Sequence, residues 1–287
     1  MLAKLFVSLC LIGSVFAADG ITEADAYRTN SQYQWDVAMD GLASIHFESE
    51  DEVLDVGCGD GKISAWIGDR VRAVVGVDIS EEMIALARSR HEDSRLTFVQ
   101  TSATEIAFKE HFDKAVSFNA FHWVVEQRQA LRSIFDSLKK GGTVFIQMPA
   151  PCENNIGLLA QKMARTEKWG PYFPDYRPVR VYFTPEEYRA LLNEVGFEVE
   201  SVSKIDAPLH FPNRDALIAW LTPLINFVDH LPEDLQRQFI DEFADELLRI
   251  DPPAPDGKIS IHSAQLRAMG KKPILEPIGC GKTEQDI

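Results

Sequence analysis

The chain has 287 residues, of which 45% are apolar and 10% aromatic, so it is long and apolar enough to bury a core. Its 44 acidic residues outnumber its 29 lysines and arginines, and the formal charge of −15 argues against nucleic acid as a partner, because a phosphate backbone would be repelled. The 4 cysteines stand singly with no C-x-x-C pair, which argues against a disulfide framework, thiol redox chemistry and a metal site.

The first 18 residues have the pattern of a secretory signal peptide. Lys4 precedes an uncharged apolar run that ends in the small residues Ala17 and Ala18. The run is shorter than the roughly 20 residues that a membrane-spanning helix needs, so we expect no stable membrane span. We therefore predict a signal peptide over residues 1–18. The alternatives are a buried or lipid-touching N-terminal helix and an upstream start codon that is rarely used.

Residues 19–52 precede the first predicted strand, and we expect them to form lid helices. Tyr33 and Trp35 are candidates to contact a substrate from this lid. The alternative is that both aromatic side chains belong to the core.

Residues 53–150 alternate between apolar runs of strand length and helical patterns. A helix is predicted after Ser80, which can cap it, and another over residues 131–138, which the Gly141-Gly142 pair ends. Strands that alternate with helices predict a mainly parallel α/β sheet. The predicted strands are 53–56, 73–77, 96–100, 114–118 and 143–147.

Residues 151–272 are expected to complete the sheet and to form a helical cap over it. Thr184-Pro185-Glu186-Glu187 is a capping box with proline at the first helical position. A strand follows at 197–202, then two amphipathic helices at 213–221 and 233–249, and a last strand within 258–269. Residues 273–287 are expected to be a loose tail.

The first predicted strand ends in the glycine-rich run VLDVGCGDGK, which begins at Val53. Gly57, Gly59 and Gly61 allow a tight turn whose backbone N–H groups approach a ligand at the carboxyl end of the strand. Both the dinucleotide fingerprint G-x-G-x-x-G and the P-loop need glycine at position 62, which is lysine. Neither pattern therefore matches.

Asp78 ends the second predicted strand, in the position from which a carboxylate binds both hydroxyls of a ribose. This position predicts an adenosine-type ligand without specifying which one. The glycine turn alone is a weak signal with a purely structural alternative. Asp55, Asp78 and the alternating architecture strengthen it.

Taken together, these residues resemble the class I S-adenosylmethionine-dependent methyltransferases, which have a Rossmann-like sheet. VLDVGCGDG looks like the first motif of that group, VVGVDIS like its second-strand acid and LKKGGTVFIQM like its late helix, turn and strand. The run Asn119-Ala120-Phe121-His122-Trp123 is similar to the trans-aconitate and juvenile-hormone-acid methyltransferases. The resemblance covers roughly residues 30–270 and is loose outside the core.

The resemblance implies S-adenosyl-L-methionine as the cofactor and a set of residues to bind it. The third strand departs from the pattern of the relatives. They commonly have an acidic residue before the alanine, whereas here Thr101 and Ser102 precede Ala103 and offer only hydroxyl groups. The implied cofactor-binding residues are Asp55, Gly57, Gly59, Gly61, Asp78, Ile79, Ser102, Ala103 and Asn119.

His122 and Trp123 follow the fourth strand at the mouth of the predicted site. His122 is the candidate catalytic residue, as a base or as a hydrogen-bonding group for the acceptor, and Trp123 is a candidate substrate contact. The alternative is that both pack under the cap. An acidic acceptor would need an arginine or histidine beside it, and the candidates are Arg177, Arg180, His210 and Arg267.

The leading hypothesis is a methyltransferase that acts on a small molecule, in particular the carboxylate of an organic acid. The alternatives are a non-catalytic or exported binding protein on the same fold and, less favoured because of Lys62, an NAD-linked oxidoreductase. The signal-like start indicates export, whereas the need for S-adenosylmethionine indicates the cytoplasm.

Overall fold

The core of the protein is a seven-stranded sheet with helices on both faces. The computed structural model describes residues 32–174, 180–225, 228–229 and 231–274. The predicted signal peptide over residues 1–18 lies outside these ranges, and so does the predicted tail from residue 275 onward. The strands are β1 (Glu52–Val56), β2 (Ala73–Asp78), β3 (Leu96–Gln100), β4 (Phe112–Phe118), β5 (Leu138–Pro149), β6 (Glu198–Asp206), β7 (Leu209–Phe211), β8 (Ile259–Ile261) and β9 (Ala264–Lys271).

The strand order in the large sheet is β3-β2-β1-β4-β5-β9-β6. The first five strands in this order pair in parallel, and β9 runs antiparallel to both β5 and β6. The carboxyl ends of β1, β2, β4 and β5 therefore meet at one edge of the sheet. Ligands bind at this edge in open α/β sheets.

The helices begin where the sequence supplies capping groups. The Ser80 hydroxyl accepts a hydrogen bond from Met83 N at 3.2 Å, and Thr184 and Glu187 form the complete capping box that the sequence predicts. The helices are α1 (Gln32–Leu42), α2 (Lys62–Gly68), α3 (Glu81–Arg90), α4 (Gln127–Ser137), α5 (Ile156–Met163), α6 (Pro185–Val195), α7 (Arg214–Leu221) and α8 (Glu233–Ile250).

Separate apolar clusters hold these layers together. One face of the sheet packs on α4 and α6 through Leu131, Ile134 and Leu192, and α1 and α2 lie on the other face with Leu42 and Ile67. The third cluster lies outside the sheet and joins α5, α7 and α8 to β7 and β8. These five elements form what we call the cap.

The mainly parallel α/β sheet predicted from the sequence is confirmed, with differences in individual elements. The predicted last strand is two strands, because β8 pairs with β7 in a small separate sheet and β9 pairs with β5 and β6. α4 ends at Ser137, before Gly141, since Leu138 is already extended at the start of β5. α5 and β7 were not predicted from the sequence.

No helix in the described ranges combines the length and the apolar character that crossing a membrane requires.

Candidate active site

The glycine loop between β1 and α2 is bound to the end of β2. Gly57 N and Cys58 N both donate to the carbonyl of Val77, at 2.7 and 3.0 Å. Gly57, Gly59 and Gly61 all have positive φ angles, of 75°, 53° and 80°, which glycine adopts without strain. This conformation is the reason that the loop contains three glycines.

The three glycines have different surroundings. A Cβ atom on Gly57 would lie 2.1 Å from the Cβ of Ala120, so the glycine loop packs directly against the segment that follows β4. A Cβ on Gly61 would lie 2.7 Å from the ring of Phe98. At Gly59 nothing lies within 4 Å of that position. The loop therefore presents its backbone to open space at Gly59.

Asp78 lies beside Gly59, as the sequence spacing leads one to expect. Its Oδ2 accepts a hydrogen bond from Gly59 N at 3.0 Å, and its Oδ1 accepts one from Ser80 N at 3.0 Å. Burial raises the pKa of Asp78, and these backbone hydrogen bonds act in the opposite direction. A carboxylate in this position, with lone pairs remaining, can accept further hydrogen bonds from a ligand.

Asp55 lies beneath the glycine loop and is only 1% exposed. Its Oδ2 accepts a hydrogen bond from the Ser64 hydroxyl at 2.6 Å, which ties β1 to α2. Burial, as the largest cause, raises the pKa of Asp55 to about 7, while the hydrogen bond from Ser64 opposes the shift. This hydrogen bond joins the two elements that flank the glycine loop. A direct contact between Asp55 and a ligand stays a prediction.

The residues predicted to surround an adenine lie at the ends of β2 and β3. The amide of Thr101 donates to the carbonyl of Asp78 at 2.9 Å, which brings the two strand ends together. Ile79, directly after β2, is a large apolar side chain that is 53% exposed. The Ser102 hydroxyl lies 2.8 Å from that of Thr104, and Ala103 is half-buried against the core.

Asn119 follows β4 and shows two unusual features. Its φ angle is +50°, in the left-handed region that asparagine tolerates better than most residues. Its side-chain Nδ2 is buried and has no hydrogen-bond partner among the described residues. With the open space at Gly59 and the exposed Ile79, this unpartnered donor fits a site for S-adenosylmethionine.

His122 and Trp123 lie in a short 3-10 turn directly after Asn119. The Trp123 ring carries the guanidinium of Arg180 on its face, 4.1 Å from the ring centroid. The His122 ring stacks against Tyr182 with the centroids 6.3 Å apart, and the carbonyl of His122 accepts a hydrogen bond from Val181 N at 2.9 Å. The segment before α6 is thereby held against the end of β4.

The environment of His122 favours a neutral imidazole. The residue is 7% exposed, and burial together with the charge of Arg180 holds its pKa well below the ordinary value. Its Nδ1 has no hydrogen-bond partner in the part of the chain that the structure describes. Such a ring can exchange hydrogen bonds with an acceptor, but it is a poor base at neutral pH.

The aromatic side chains predicted for the lid lie in α1. Nζ of Lys62 lies 4.1 Å from the ring centroid of Trp35, so α1 contacts the first residue of α2 beside the glycine loop. The side chain of Tyr33 lies outside the described part of the structure. A contact of either residue with a substrate stays a prediction.

The other cationic candidates have different surroundings. Nε of Arg267 donates to Oε1 of Gln147 at 2.8 Å, and its Nη2 is bonded to Asp40, so this arginine holds α1 on the sheet. His210 is exposed on β7. Arg177 lies outside the described residues.

The sequence analysis missed two residues of this region, Gln147 and Tyr182. Gln147 is fully buried at the carboxyl end of β5, where its carbonyl accepts from Asn119 N at 2.8 Å and its side chain donates to the carbonyl of Val37 at 2.9 Å. A glutamine at the end of an otherwise apolar strand was the available signal. For Tyr182 the sequence offered no signal other than its position next to the capping box of Thr184 and Glu187.

Comparison with known proteins identifies the core. Residues 54–146 match the family model described as a methyltransferase domain. The chain is 29% identical over 239 residues to a trans-aconitate 2-methyltransferase of Variovorax paradoxus, covering 81% of this chain and 91% of the relative. It is 27% identical over 255 residues to a juvenile hormone acid O-methyltransferase of Drosophila melanogaster, covering 80% and 84%.

A solved structure shows the same fold. Phosphoethanolamine N-methyltransferase 2 of Haemonchus contortus, in complex with S-adenosyl-L-methionine, superposes with a TM-score of 0.58 and 18% identity, over 87% of this chain and 56% of the other. The matched family segment contains Asp55, the glycine loop, Asp78 and Asn119. Residues 54–146 therefore form a methyltransferase domain with the class I fold, and this domain implies S-adenosyl-L-methionine as the methyl donor.

Proposed function

We propose that the enzyme methylates the carboxylate of a small organic acid. The observation that carries the proposal is the position of Arg180 beside His122 and Trp123. Among the described residues, no carboxylate pairs with Arg180, whose Nη2 donates instead to the carbonyl of Leu224 at 2.7 Å. In a chain with 44 acidic residues, a half-buried arginine next to the end of β4 and without such a partner is suited to an acidic ligand.

The state of His122 also supports an acidic acceptor. A phenol or an ammonium group must lose a proton before it can attack, which requires a base with a pKa near the working pH. The pKa of His122 is held well below that range. A carboxylate is already ionised at neutral pH and needs no base. The names of the relatives, which include an aconitate and a hormone acid, support the same class of acceptor.

The residues of the chain then position the reactants. S-adenosylmethionine supplies a methyl group, whose bond to sulfur breaks as the bond to the carboxylate oxygen forms, giving a methyl ester and S-adenosylhomocysteine. Arg180 would bind the carboxylate, and the imidazole of His122 would hydrogen-bond to it. Asp78 and the glycine loop would hold the donor in line at the strand edge.

The test is a methyl-transfer screen with a radiolabelled donor over organic acids, phenols and amines. We expect label in products that mild alkali hydrolyses, because methyl esters are labile and methylated phenols and amines are not. Label confined to alkali-stable products would contradict the proposal.

The Arg180 variants test the assigned contact. Arg180→Met should raise KM for the acid by about 10- to 100-fold with little change in kcat, because hydrogen bonds to charged groups contribute about 1.5–3 kcal/mol. Arg180→Lys keeps the charge and should recover part of the loss. An unchanged KM in Arg180→Met would remove Arg180 from the acceptor site.

A further inference from the structure

Tyr182 contacts three segments of the protein through a single side chain. Its ring stacks on His122, with the two ring planes inclined at 26°. Its hydroxyl lies at the first turn of α5, where a Cβ atom on Gly157 would be only 1.8 Å from the hydroxyl oxygen. The guanidinium of Arg180 donates a hydrogen bond to the same hydroxyl. The residues around the phenol therefore fix its position.

The hydroxyl proton of Tyr182 is available to a ligand. A guanidinium has N–H donors and no acceptor, so Arg180 donates and the phenolic oxygen accepts. Within the described ranges, no other group accepts the hydroxyl proton of Tyr182. Burial raises the pKa of Tyr182, and Arg180 acts in the opposite direction. The phenol is therefore a neutral hydrogen-bond donor at neutral pH.

His122, on which Tyr182 stacks, has an unused polar atom as well. Its Nδ1 is buried and lacks a hydrogen-bond partner among the described residues. A buried polar atom without a partner costs free energy, and a ligand that pairs with it removes this cost. The free polar groups of Tyr182 and His122 thus belong to two stacked rings, next to the guanidinium that we assign to the acceptor carboxylate.

The charges around Tyr182 favour a negative ligand. Apart from burial, the side chains that shift its pKa are the guanidinium of Arg180 and the thiol of Cys152. No carboxylate is among them in the part of the chain that the structure describes. A carboxylate at this place would meet one positive charge, a neutral phenol and a neutral imidazole. Hydrogen bonds to such a ligand are charge-assisted and therefore strong.

We propose that Tyr182 binds the acceptor acid: its hydroxyl donates a hydrogen bond to the carboxylate beside Arg180, and Gly157 leaves the space that the hydroxyl needs. The inference rests on the proposed function, because a carboxylate acceptor supplies the negative oxygen. Two different donors also restrict the orientation of the carboxylate, and this orientation decides which lone pair faces the methyl group. Tyr182 is thus an acceptor-binding residue, and Gly157 is the residue that positions it.

Tyr182→Phe is the first test, because it keeps the ring on His122 and removes only the hydroxyl. We expect KM for the esterified acids to rise by about 10- to 100-fold with little change in kcat. Tyr188→Phe is the matched control, since the hydroxyl of buried Tyr188 already donates to Oε1 of Gln127 at 3.2 Å. The control should leave KM unchanged. An unchanged KM in Tyr182→Phe, or an equal rise in both variants, would overturn the proposal.

A binding measurement tests the same contact without methyl transfer. The probe is acetate, which carries the carboxylate alone, and acetamide is its uncharged counterpart. Ligand-observed NMR gives their dissociation constants in the presence of S-adenosylhomocysteine, whose own affinity is measured by calorimetry and should not change. Tyr182→Phe should weaken acetate binding by about tenfold or more and affect acetamide less, because the hydrogen bond to the anion is stronger. No saturable binding of acetate to the parent protein, or equal affinities in parent and variant, would contradict the proposal.

Gly157→Ala tests the positioning role. The added Cβ should displace the hydroxyl and raise KM much as Tyr182→Phe does, whereas in the Tyr182→Phe background it should have a much smaller effect, because the 1.8 Å contact no longer exists. Gly170→Ala is the control, since a Cβ there would have no neighbour closer than 3.9 Å. Additive effects of Gly157→Ala and Tyr182→Phe on KM would show that Gly157 does not act through Tyr182.

The chemistry of the product separates this inference from the proposed function. An alkali-labile product together with an unchanged KM in Tyr182→Phe would overturn the role of Tyr182 and leave the carboxylate acceptor standing. Alkali-stable products together with weaker acetate binding in Tyr182→Phe would overturn the carboxylate acceptor and leave the contact between the hydroxyl and a carboxylate standing.

Discussion

Asp78 joins two segments of the candidate site through its carboxylate. Each carboxylate oxygen accepts one backbone hydrogen bond, from Gly59 in the glycine loop and from Ser80 at the start of α3. The residue thus joins two segments of the site, and lone pairs remain for a ligand. Substitution must therefore be tested with variants that separate the loop contacts from the ligand contacts.

Asp78→Ala should weaken the binding of S-adenosylmethionine by about 10- to 100-fold or more, because hydrogen bonds to a charged acceptor contribute about 1.5–3 kcal/mol each. Asp78→Asn retains one side-chain oxygen and should lose less. Asp60→Asn is the matched control in the same loop, since Asp60 pairs with Arg90 through a 2.7 Å contact. Calorimetric titration measures all three, and an unchanged affinity in Asp78→Ala would refute the assignment.

The segment before α6 is fixed in place by a small number of hydrogen bonds. The capping box of Thr184 and Glu187 fixes the first turn of the helix. Just upstream, Val181 N donates to the carbonyl of His122, and further along the helix the Tyr188 hydroxyl donates to Oε1 of Gln127 at 3.2 Å. A local helix signal thus determines where the segment that carries Arg180 meets the end of β4.

Thr184→Ala should lower the free energy of unfolding by about 1 kcal/mol, because the amide at the third helical position loses its acceptor. Thr184→Ser keeps the hydroxyl and should retain nearly all of the stability. Urea unfolding followed by circular dichroism compares the two variants with the parent protein. Equal stability of Thr184→Ala and the parent would show that tertiary packing alone fixes this end of α6.

Stability against pH is a property of the whole molecule, and two buried groups contribute with opposite signs. The pKa of Asp55 is raised to about 7, so its contribution to stability is complete below its unfolded value of 3.8 and is lost as the pH rises to about 7. The pKa of His122 is lowered, so its contribution is present above its ordinary value of 6.5 and is lost as the pH falls below that value. Both contributions to stability therefore change with pH in mildly acidic solution, in opposite directions.

Asp55→Asn isolates the first of these effects. The amide oxygen can still accept the Ser64 hydroxyl, while the ionisation is removed. The stability of this variant relative to the parent should increase as the pH rises from 4 to 7, by up to a few kcal/mol, and should then level off. Chemical denaturation without ligand at several pH values measures the difference. A difference that does not change with pH would show that Asp55 titrates near its ordinary value in the folded protein.

The sequence alone determined the parts of this protein that depend on short-range rules. The glycine loop, the acid at the end of β2, the capping box and the alternation of strands and helices are local patterns, because steric limits and backbone hydrogen bonding act over a few residues. From these patterns the parallel sheet could be predicted. The proximity of Asp78 to the glycine loop followed from the rule that parallel strands end at one edge.

Only the tertiary structure decided the contacts that join distant segments. The sequence makes Arg267 a candidate to bind an acidic ligand. In the structure its guanidinium is bonded instead to Asp40, 227 residues away along the chain, and to Gln147. Arg180 and His122 are neighbours because Val181 N donates to the carbonyl of His122, and burial together with the charge of Arg180 then lowers the pKa of His122. Such pairings and the desolvation they produce depend on which elements pack together, and no local pattern carries that information.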